Sequence, residues 1–453
     1  MRVSLFVEHP VPRPWDADSE KRVLLESLEQ MELADRAGFS GVWVTEHHFQ
    51  EEYSHSSAPE LFLAALSRRT TRLRLGHGIV QLPPAINHPV RVAERIGALD
   101  LLSDGRVQFG TGEASSMAEI DGFRFDPGKK RAMWRESLEV ALRAMTEEPF
   151  TGHEGEFVSV PPRNVVPKPQ QRPHPPVWVA CTRPATIELA ARMGIGALSF
   201  SYTGPEGSRP LVDGYYAVLA DEAVPLTPTV NPNVLVTAGD LMVAPTHEEA
   251  VDRIGLGIGF HGYGIRHYYV SGRHRPGRTS VWDEYTRSLA GEDTLDAGLE
   301  AQSAATADRA DWQRLALANA RRTSDAHAGV GSPEEVRERM REYERAGVDE
   351  LMFLVPPARH EHLMESIEVL GSQVLPEFAE RDERAARAKA ERLEPVVEKI
   401  LQRRRRLGTE LDPEYWFGGV PKAWTDGAES SEVRDAMNTA AALRENGKGE
   451  EQP

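Results

Sequence analysis

The feature that most constrains the fold of this chain is a regular alternation of short apolar runs, rich in β-branched and aromatic residues, with longer segments of helical periodicity. Gly38, Gly194 and Gly347 each follow a helical segment and precede an apolar run, which is where a helix C-cap is expected. Parallel strands need crossover connections, so the alternation predicts parallel pairing. The eight predicted strands are Arg2–Glu8, Gly41–Thr45, Arg72–Val80, Arg106–Thr111, Val177–Cys181, Gly196–Ser201, Asn233–Val243 and Glu350–Val355.

Eight strands separated by helices predict a closed (β/α)8 TIM barrel, in the α/β class, and an open doubly wound sheet is the alternative. Two segments exceed a minimal barrel. Phe150–Pro176, after strand four, is rich in proline and glycine and is predicted to be an excursion or a hairpin. Phe260–Gly331, near strand seven, is predicted to be a partly helical insertion. The predicted helices are Ser19–Ala37, Ala58–Arg69, Pro89–Leu102, Lys129–Glu147, Pro184–Met193, Thr246–Gly255 and Pro333–Ala346.

The composition changes sharply after Phe378, so we predict a barrel over residues 1–379 and a C-terminal extension over residues 380–453. The first part of the extension, Glu380–Leu407, is dense in Arg, Glu and Ala with helical spacing and is predicted to be helical. The remainder is polar apart from an aromatic stretch, which is typical of a poorly ordered tail.

Charge and composition exclude several classes of protein. Asp and Glu number 70 against 53 Lys and Arg among 453 residues, a net charge of −17, which argues against binding to nucleic acid. The single cysteine, Cys181, excludes a disulfide framework and a cysteine-built zinc site. We expect a cytoplasmic protein that does not enter membranes, because no secretion signal and no run of eighteen apolar residues is present.

The predicted ends of the strands carry most of the polar and titratable residues. In a βα barrel these carboxyl ends form the mouth, where functional groups gather. The sequence therefore predicts one shared pocket at the mouth. The strand ends are Glu8-His9, Thr45–His48, Gly78–Gln81, Thr111–Glu113, Cys181–Arg183 and Ser199–Ser201.

The densest titratable cluster is Glu46-His47-His48. One imidazole can act as a general base or hydrogen-bond donor, because histidine titrates near neutral pH. Neighbouring strand residues point to opposite faces, so at most one of the two histidines faces the mouth. The alternative is a histidine pair that only packs between strand and helix. A metal site that also uses His55 is less favoured, because no HExxH-type spacing is present.

A second candidate site, Thr182–Thr186, opens the helix after strand five. A helix N-terminus offers free N–H groups and a partial positive charge, which suits a phosphate. In this interpretation Thr182 caps the helix, Pro184 occupies its first turn and Arg183 contacts the phosphate. The alternative is ordinary capping with Arg183 in solvent.

Two further motifs are predicted to carry no ligand. Gly257, Gly259 and Gly262 form a literal GxGxxG, but it follows a helical pattern rather than a strand and no helix obviously opens from it, so a flexible loop is predicted. Arg403–Arg406 is predicted to be a solvated helix face, since the chain is too acidic to favour nucleic acid.

Several motifs together resemble the bacterial luciferase-like flavin-dependent monooxygenases. They are VWVTEHHF at Val42–Phe49, the segment Arg74–Gly112, PPVWVACTRPATIELAARMG at Pro175–Gly194, and the segment Gly347–Phe378. The resemblance implies a TIM barrel whose mouth binds reduced FMN. It also implies a separate NAD(P)H-dependent flavin reductase as partner, and a homodimer.

The resemblance carries roles over to single residues. Gly78-Ile79 falls on a non-proline cis peptide of the relatives. Gly112 replaces the reactive cysteine of luciferase, and Glu113 replaces a phosphate-binding arginine, which leaves Arg183 as the positive charge. The implied site comprises His47 and Glu46 for catalysis, Gly78, Ile79, Gly112, Glu113, Thr182, Arg183, Thr186 and Ser199 for the cofactor, and His48, Phe200 and Tyr202 for the substrate pocket, which Phe260 and Tyr263 can extend.

The implied reaction is oxygenation of a small organic substrate by reduced FMN and O2 through a flavin C4a-hydroperoxide, with His47 handling a proton. The substrate, and the choice among hydroxylation, epoxidation and Baeyer–Villiger insertion, stay open. Two alternatives also remain: a deazaflavin-dependent hydride-transfer enzyme and a non-catalytic flavin-binding protein.

Overall fold

A computed structural model describes residues 1–200, 204–289, 328–404, 408 and 410–417. Eight strands pair in parallel with their sequence neighbours, and β1 pairs with β8 through Arg2 and Glu350, which closes the sheet. This closure confirms the TIM barrel and excludes the open sheet. The barrel strands are β1 (Arg2–Val7), β2 (Gly41–Val44), β3 (Arg74–His77), β4 (Val107–Gly112), β5 (Val177–Cys181), β6 (Gly196–Ser199), β7 (Val234–Val243) and β8 (Glu350–Leu354).

Helices connect the strands and cover the outside of the barrel, where their apolar faces bury the main core. A 3-10 turn spans Gly255–Gly257, and π-helical turns span Arg266–Ser271 and Leu370–Val374. The described α-helices are Ser19–Ala37, Pro59–Ser67, Pro89–Leu102, Met117–Gly122, Lys130–Thr146, Pro184–Arg192, Gly204–Glu222, His247–Ile254, Phe260–Ile265, Val281–Leu289, Pro333–Arg345, His360–Val369 and Leu375–Gln402.

Aromatic residues fill the inside of the barrel. The rings of Trp43 and Trp178 meet edge to face at 5.4 Å. Each tryptophan lies over a glycine of the next strand. A Cβ on Gly76 or Gly196 would come within 2.4 Å of the indole, so only glycine leaves room for the ring. The inside of the barrel is therefore a packed core rather than a pore.

The two insertions differ in structure. The segment after β4 forms an antiparallel hairpin between His153–Glu154 and Ser159–Val160, as one of the two predicted alternatives. In the segment after β7, Phe260–Ile265 and Val281–Leu289 are helical, and Gly329–Gly331 adds a strand parallel to the end of β7. Residues 290–327 of this insertion lie outside the described part of the chain.

The helix Gly204–Glu222 was not predicted, because its sequence contains two prolines and three glycines. Tertiary packing stabilises this helix despite the low helix propensity of its residues. Val212, Tyr215 and Leu219 are buried on one face, and the Tyr215 hydroxyl donates to the carbonyl of Ile195 at 2.8 Å.

The helix Leu375–Gln402 covers the amino-terminal end of the barrel, which we call the floor. Its Lys389 ammonium donates to Asp349 at 2.6 Å and to Asn233 at 2.8 Å, and these residues immediately precede β8 and β7. The predicted domain boundary at residue 379 falls inside this helix. Arg403, after the helix, donates to the carbonyl of Asp221 at 2.8 Å, so this arginine is not part of a purely solvated face.

The floor also contains a buried ion cluster around Glu350, the first residue of β8. Arg74 approaches its Oε2 at 2.8 Å and Arg2 at 3.4 Å, while Ser4 donates to Oε1. Burial raises the pKa of Glu350, but the two guanidinium groups and the serine hydroxyl outweigh that effect and hold it at about 2. Glu350 is therefore ionised at every physiological pH.

The chain divides into two compact units, Met1–Gly408 and Thr409–Pro453. Within the second unit the backbone N–H of Tyr415 donates to Asp412 at 2.9 Å, a single turn. Residues 418–453, which include most of the predicted tail, lie outside the described residues. Within the described part of the chain, every helix is too short or too polar to cross a bilayer.

Candidate active site

The mouth of the barrel brings together the ends of β1, β2 and β3 with a short strand, Val80–Gln81, that pairs with β4. The peptide bond Gly78–Ile79 between β3 and this strand is cis, as the resemblance predicted. The side chain of Ile79 lies against Gly112, where a Cβ would come within 2.5 Å of Ile79 Cδ1. Ile79 and Gly112, which the resemblance assigns to the cofactor site, are therefore in contact.

His47 is held by a carboxylate on a short helix, Met117–Gly122, that sequence analysis did not predict. Its Nδ1 lies 3.0 Å from Glu119 Oε1, and because a carboxylate only accepts, this nitrogen carries a proton. The same oxygen accepts from the Gln81 amide at 2.6 Å and from the His48 backbone at 3.1 Å. The Tyr269 hydroxyl lies 3.4 Å from the other ring nitrogen of His47.

The electrostatic surroundings of His47 favour its protonated form. Burial lowers the pKa of His47, but the nearby carboxylates of Glu119, Glu8 and Glu46 outweigh burial and raise it above its usual value. For Glu119 the effects have the opposite signs. Burial raises its pKa, but the His47 imidazole, the Gln81 amide and the His48 backbone N–H outweigh burial and lower its pKa below the usual value. The two groups therefore behave as an ion pair that can exchange a proton.

Glu46, which the resemblance assigns to catalysis, holds the ends of neighbouring segments together. Its two oxygens accept from the backbone of Gln81 at 2.8 Å, from Asn87 at 2.7 Å and from His48 Nε2 at 3.1 Å. The Glu46 carboxylate thus fixes the strand ends, and His48 packs against Phe123 at 5.0 Å rather than pointing to a shared metal position. Of the two neighbouring histidines, His47 contacts Glu119 through its ring, whereas the ring of His48 contacts Glu46.

A second imidazole enters the mouth from the insertion after β7. His261, on the helix Phe260–Ile265, places its Nδ1 2.8 Å from Glu8 Oε2. The other oxygen of Glu8 accepts from the Tyr53 hydroxyl at 3.1 Å and lies 4.0 Å from His47 Nε2. Glu8 therefore lies between two histidines that are more than two hundred positions apart in sequence.

Beside Glu8 and His261 lies a narrow pocket, whose walls are mostly apolar apart from these two side chains and Asp240. A helix does open after Gly259 of the GxGxxG motif, contrary to the prediction of a loop, and it carries His261 to the cavity. The lining residues include Phe6, Pro10, Tyr53, Phe260, Leu354 and Pro356.

At the other side of the mouth, the helix after β5 is capped differently from the prediction. Arg183, not Thr182, is the N-cap, and the Thr186 hydroxyl accepts from the Arg183 N–H at 3.2 Å and donates to its carbonyl at 2.7 Å. The Thr186 side chain, from the first turn, reaches back to close the cap in place of a side chain from residue 182.

Further cations lie close to this helix end. Arg131 donates to Glu113 at 2.8 Å, and Lys130 lies 3.9 Å from the same carboxylate. Burial lowers the pKa of Lys130, Glu113 opposes that effect, and the positive charges of Arg131 and Arg183 lower it further. Glu113, where an arginine was expected, thus lies beside two cations, Arg131 and Lys130.

The remaining candidate residues have less direct positions. Ser199 is fully buried, and its carbonyl accepts from Thr237 at 3.1 Å. Phe200 packs edge to face on Phe6 at 5.3 Å, so it borders the cavity wall. Tyr202 lies outside the described residues.

Comparison with known proteins agrees with this geometry. A family model described as luciferase-like monooxygenase matches residues 1–350, well over half of the chain. The chain belongs to the luciferase-like monooxygenase family. This is a family of oxidoreductases, as the resemblance implied.

Curated relatives include limonene 1,2-monooxygenase of Rhodococcus erythropolis, 31% identical over 245 residues, which are 52% of this chain and 60% of that protein. The oxygenase component of a flavin-dependent trigonelline monooxygenase from Acinetobacter baylyi is 32% identical over 197 residues, 43% of this chain and 52% of the relative. The chain spans between about half and three fifths of the length of such relatives.

Among solved structures, the monooxygenase RslO1 of Streptomyces bottropensis has a TM-score of 0.60 and 26% identity, covering 83% of this chain and 100% of its own. The oxygenating constituent of 3,6-diketocamphane monooxygenase from Pseudomonas putida, solved with FMN, has a TM-score of 0.59 over 83% of this chain and 98% of its own. At 20% identity, the second match shows the fold alone.

In this family member, sequence analysis missed three residues of the mouth: Glu119, His261 and Lys130. Glu119 and Lys130 lie in a βα connection, at positions that no periodic pattern distinguishes from surface. His261 stands within the GxGxxG, but a lone histidine between glycines gave no signal. Glu8 and Gln81 were noted as strand ends and had a detectable signal, since both follow apolar strands at the mouth.

Proposed function

We propose that this protein is the oxygenase of a two-component, FMN-dependent monooxygenase that oxygenates a small organic substrate. A separate NAD(P)H-dependent reductase would supply reduced FMN. The observation that carries the proposal is the contact of 3.0 Å between His47 Nδ1 and Glu119 Oε1 at the mouth of a luciferase-like barrel. The trigonelline relative, described as an oxygenase component, supports the division between two proteins.

The donor set near the helix Pro184–Arg192 fits the phosphate of FMN. Lys130, Arg131 and Arg183 carry three positive charges, and Glu113 carries one negative charge. The net excess of two matches a phosphomonoester, which carries a charge of about −1.5 to −2 at neutral pH. The partial positive charge of the helix N-terminus adds to this attraction.

The opposite part of the mouth fits the flavin ring. Ile79 and Gly112 form a flat apolar contact next to the cis peptide, and the His47–Glu119 pair lies nearby on β2 and the loop after β4. Reduced FMN, when bound, supplies the electrons that activate O2. The chain contributes position, a water-poor surface and a proton donor or acceptor in His47.

The cavity beside His261 and Asp240 is the proposed substrate side. Phe6, Phe260 and Leu354 give it apolar walls, and the polar groups at its edge can orient one functional group of the substrate. Such a pocket suits a mostly apolar molecule.

A deazaflavin-dependent hydride transfer is the alternative within the same fold. Solved F420-dependent enzymes match this chain at 16% and 19% identity, which shows the fold alone. Three curated relatives above 30% identity are instead named as monooxygenases. The cofactor itself must be measured.

The first test compares reduced FMN with a reduced deazaflavin in equilibrium dialysis and stopped-flow mixing with oxygen. We expect the protein to bind FMN and to slow its reoxidation relative to free FMN. Binding of the deazaflavin alone, or FMN reoxidation at the free rate, would contradict the proposal.

The second test replaces His47 with alanine. We expect FMN to bind nearly as well, while productive reaction falls at least about 100-fold, because a positioned proton donor or acceptor contributes that much or more. His247→Gln, at an exposed position of the helix His247–Ile254 that contacts Glu335, is the matched control and should react like the unmodified protein. Unchanged turnover in His47→Ala would overturn the assignment of His47.

A further inference from the structure

The mouth contains a second imidazole, His261, that the proposed reaction has not used. Glu8, from β1, contacts His261 at 2.8 Å and lies 4.0 Å from His47. Glu8 is 6% exposed, so its charge is poorly screened by water. A single buried carboxylate therefore serves two imidazoles.

The contacts of the two imidazoles are unequal. His47 has its own carboxylate, Glu119, whereas His261 depends mainly on Glu8, with Asp240 as a more distant charge. Burial lowers the pKa of His261, Glu8 raises it above its usual value, and the positive charge of His47 opposes that rise. The proton on one ring thus affects the proton on the other.

We propose that His261 is a positioning residue that sets the proton state of His47 through the carboxylate they share, Glu8. When His261 is charged, it neutralises Glu8 and repels a proton on His47. When His261 is neutral, the Glu8 charge favours the proton on His47. The inference rests on the proposed function for its catalytic meaning, but the coupling itself is a property of the protein without flavin.

The geometry explains why an insertion carries this residue. His261 borders the cavity, whereas His47 lies on the other side of Glu8, and the cavity lining includes Glu8 and His261 but not His47. A substrate entering this cavity contacts His261 and changes its surroundings. Binding of a substrate beside His261 can therefore change the protonation of His47.

The charged and titratable groups that face the pair come from five parts of the chain. Some of them form direct hydrogen bonds and others act through charge alone. They are Glu8 from β1, Glu46 and Tyr53 from the connection after β2, Glu119 from the helix Met117–Gly122, Asp240 from β7, and Tyr269 from the π-helical turn.

The experiment follows the histidine Cε1–H resonances by NMR from pH 5 to 9 in protein without flavin, with histidine labelled by ¹³C. The His47 signal is assigned by its loss in His47→Gln. Glu8→Gln removes the shared charge, and His261→Gln removes the competing cation while keeping a polar side chain. His247→Gln, which loses an exposed histidine, is the control.

The two variants should move the titration midpoint of His47 in opposite directions. His261→Gln raises it and Glu8→Gln lowers it, each by about one pH unit, as expected for a nearby charge gained or lost. The control leaves the midpoint unchanged. His261→Asn is measured as well, so that a folding defect peculiar to one variant does not decide the result.

A His47 midpoint that His261→Gln and His261→Asn leave in place, or that they lower, would overturn the proposal even if the enzyme proves to be an FMN monooxygenase. Conversely, opposite shifts in a protein that binds no FMN would support the coupling and contradict the proposed function. In active protein, the pH profile of turnover should shift in the same direction as the titration. A fall in rate at every pH without such a shift would mean a merely structural role.

Discussion

The floor and the mouth of the barrel both bury carboxylates, but with different partners. At the floor, Glu350 is paired with Arg74 and Arg2, which stay charged at every accessible pH. At the mouth, Glu119 is paired with His47, whose charge changes near neutrality. The chain thus has a permanent ion cluster at one end and a titratable one at the other.

The difference shows how the same kind of residue serves structure or chemistry. An arginine left without its carboxylate cannot lose its proton, so removing the partner strands a buried charge. A histidine in the same situation becomes neutral. The floor is therefore a stability element, and the mouth can change protonation during a reaction without loss of the fold.

The largest expected effect is on the floor. Glu350→Gln should lower the free energy of unfolding at pH 7 by about 3–5 kcal/mol, because two guanidinium groups lose their buried partner. Denaturant titration measures the loss. Glu383→Gln removes an exposed carboxylate on the helix Leu375–Gln402 and should change stability by less than about 0.5 kcal/mol. Equal losses in the two variants would contradict the distinction.

The pH dependence of stability should have opposite signs at the two ends. The pKa of Glu350 is about 2 in the folded chain, below its ordinary 4.5, so its contribution of about 3 kcal/mol is present above pH 4.5 and is lost as the pH falls toward 2. The pKa of His47 is raised in the folded chain, so its contribution to the free energy of unfolding is fully present below pH 6.5 and is lost as the pH rises. Unfolding free energies are measured from pH 3 to 9. In Glu350→Gln the fall in stability at acid pH should disappear, and in His47→Gln a smaller fall at alkaline pH should disappear.

Glu119→Gln should separate chemistry from stability at the mouth. Without the carboxylate, burial dominates and the pKa of His47 falls, so the reaction at pH 7.5 should slow by about 10-fold to 100-fold. The loss of unfolding free energy at pH 8 should stay near 1 kcal/mol, because the imidazole becomes neutral. A destabilisation as large as that of Glu350→Gln would show that the mouth pair is structural.

The smallest effect concerns the helix that covers the floor. Lys389→Met breaks the half-buried contact with Asp349 and should cost about 1–2 kcal/mol, because the carboxylate keeps the Tyr216 hydroxyl and the Val234 N–H as donors. Arg387→Met, on the same helix, breaks only an exposed pair with Glu383 and should cost less than about 0.5 kcal/mol. Thermal unfolding of the two variants gives the comparison, and identical midpoints would mean that Lys389 does not hold the helix on the floor.

Much of the fold followed from the sequence because the strands are nearly continuous apolar runs and the crossover helices have clear periodicity. The cis peptide at Gly78–Ile79 and the position of His47 followed from motif resemblance. The helix Gly204–Glu222 could not be predicted from the sequence, because packing around Tyr215 outweighs the low helix propensity of its residues. The N-cap of the helix Pro184–Arg192 is Arg183 rather than the predicted Thr182. A threonine in the first turn can close a cap as well as one at the cap position, so the sequence did not distinguish Thr186 from Thr182.

The sequence by itself determined the barrel, the family and the neighbourhood of the mouth, because these depend on local periodicity and on residues that lie at strand ends. Only the tertiary structure decided the partners: Glu119 for His47, His261 for Glu8, and Lys130 beside Arg183. Each of these pairs joins segments far apart in the chain, and no local pattern encodes a distance between them. The physical reason is that charge interactions depend on separation in space and on burial, and both are properties of the folded chain.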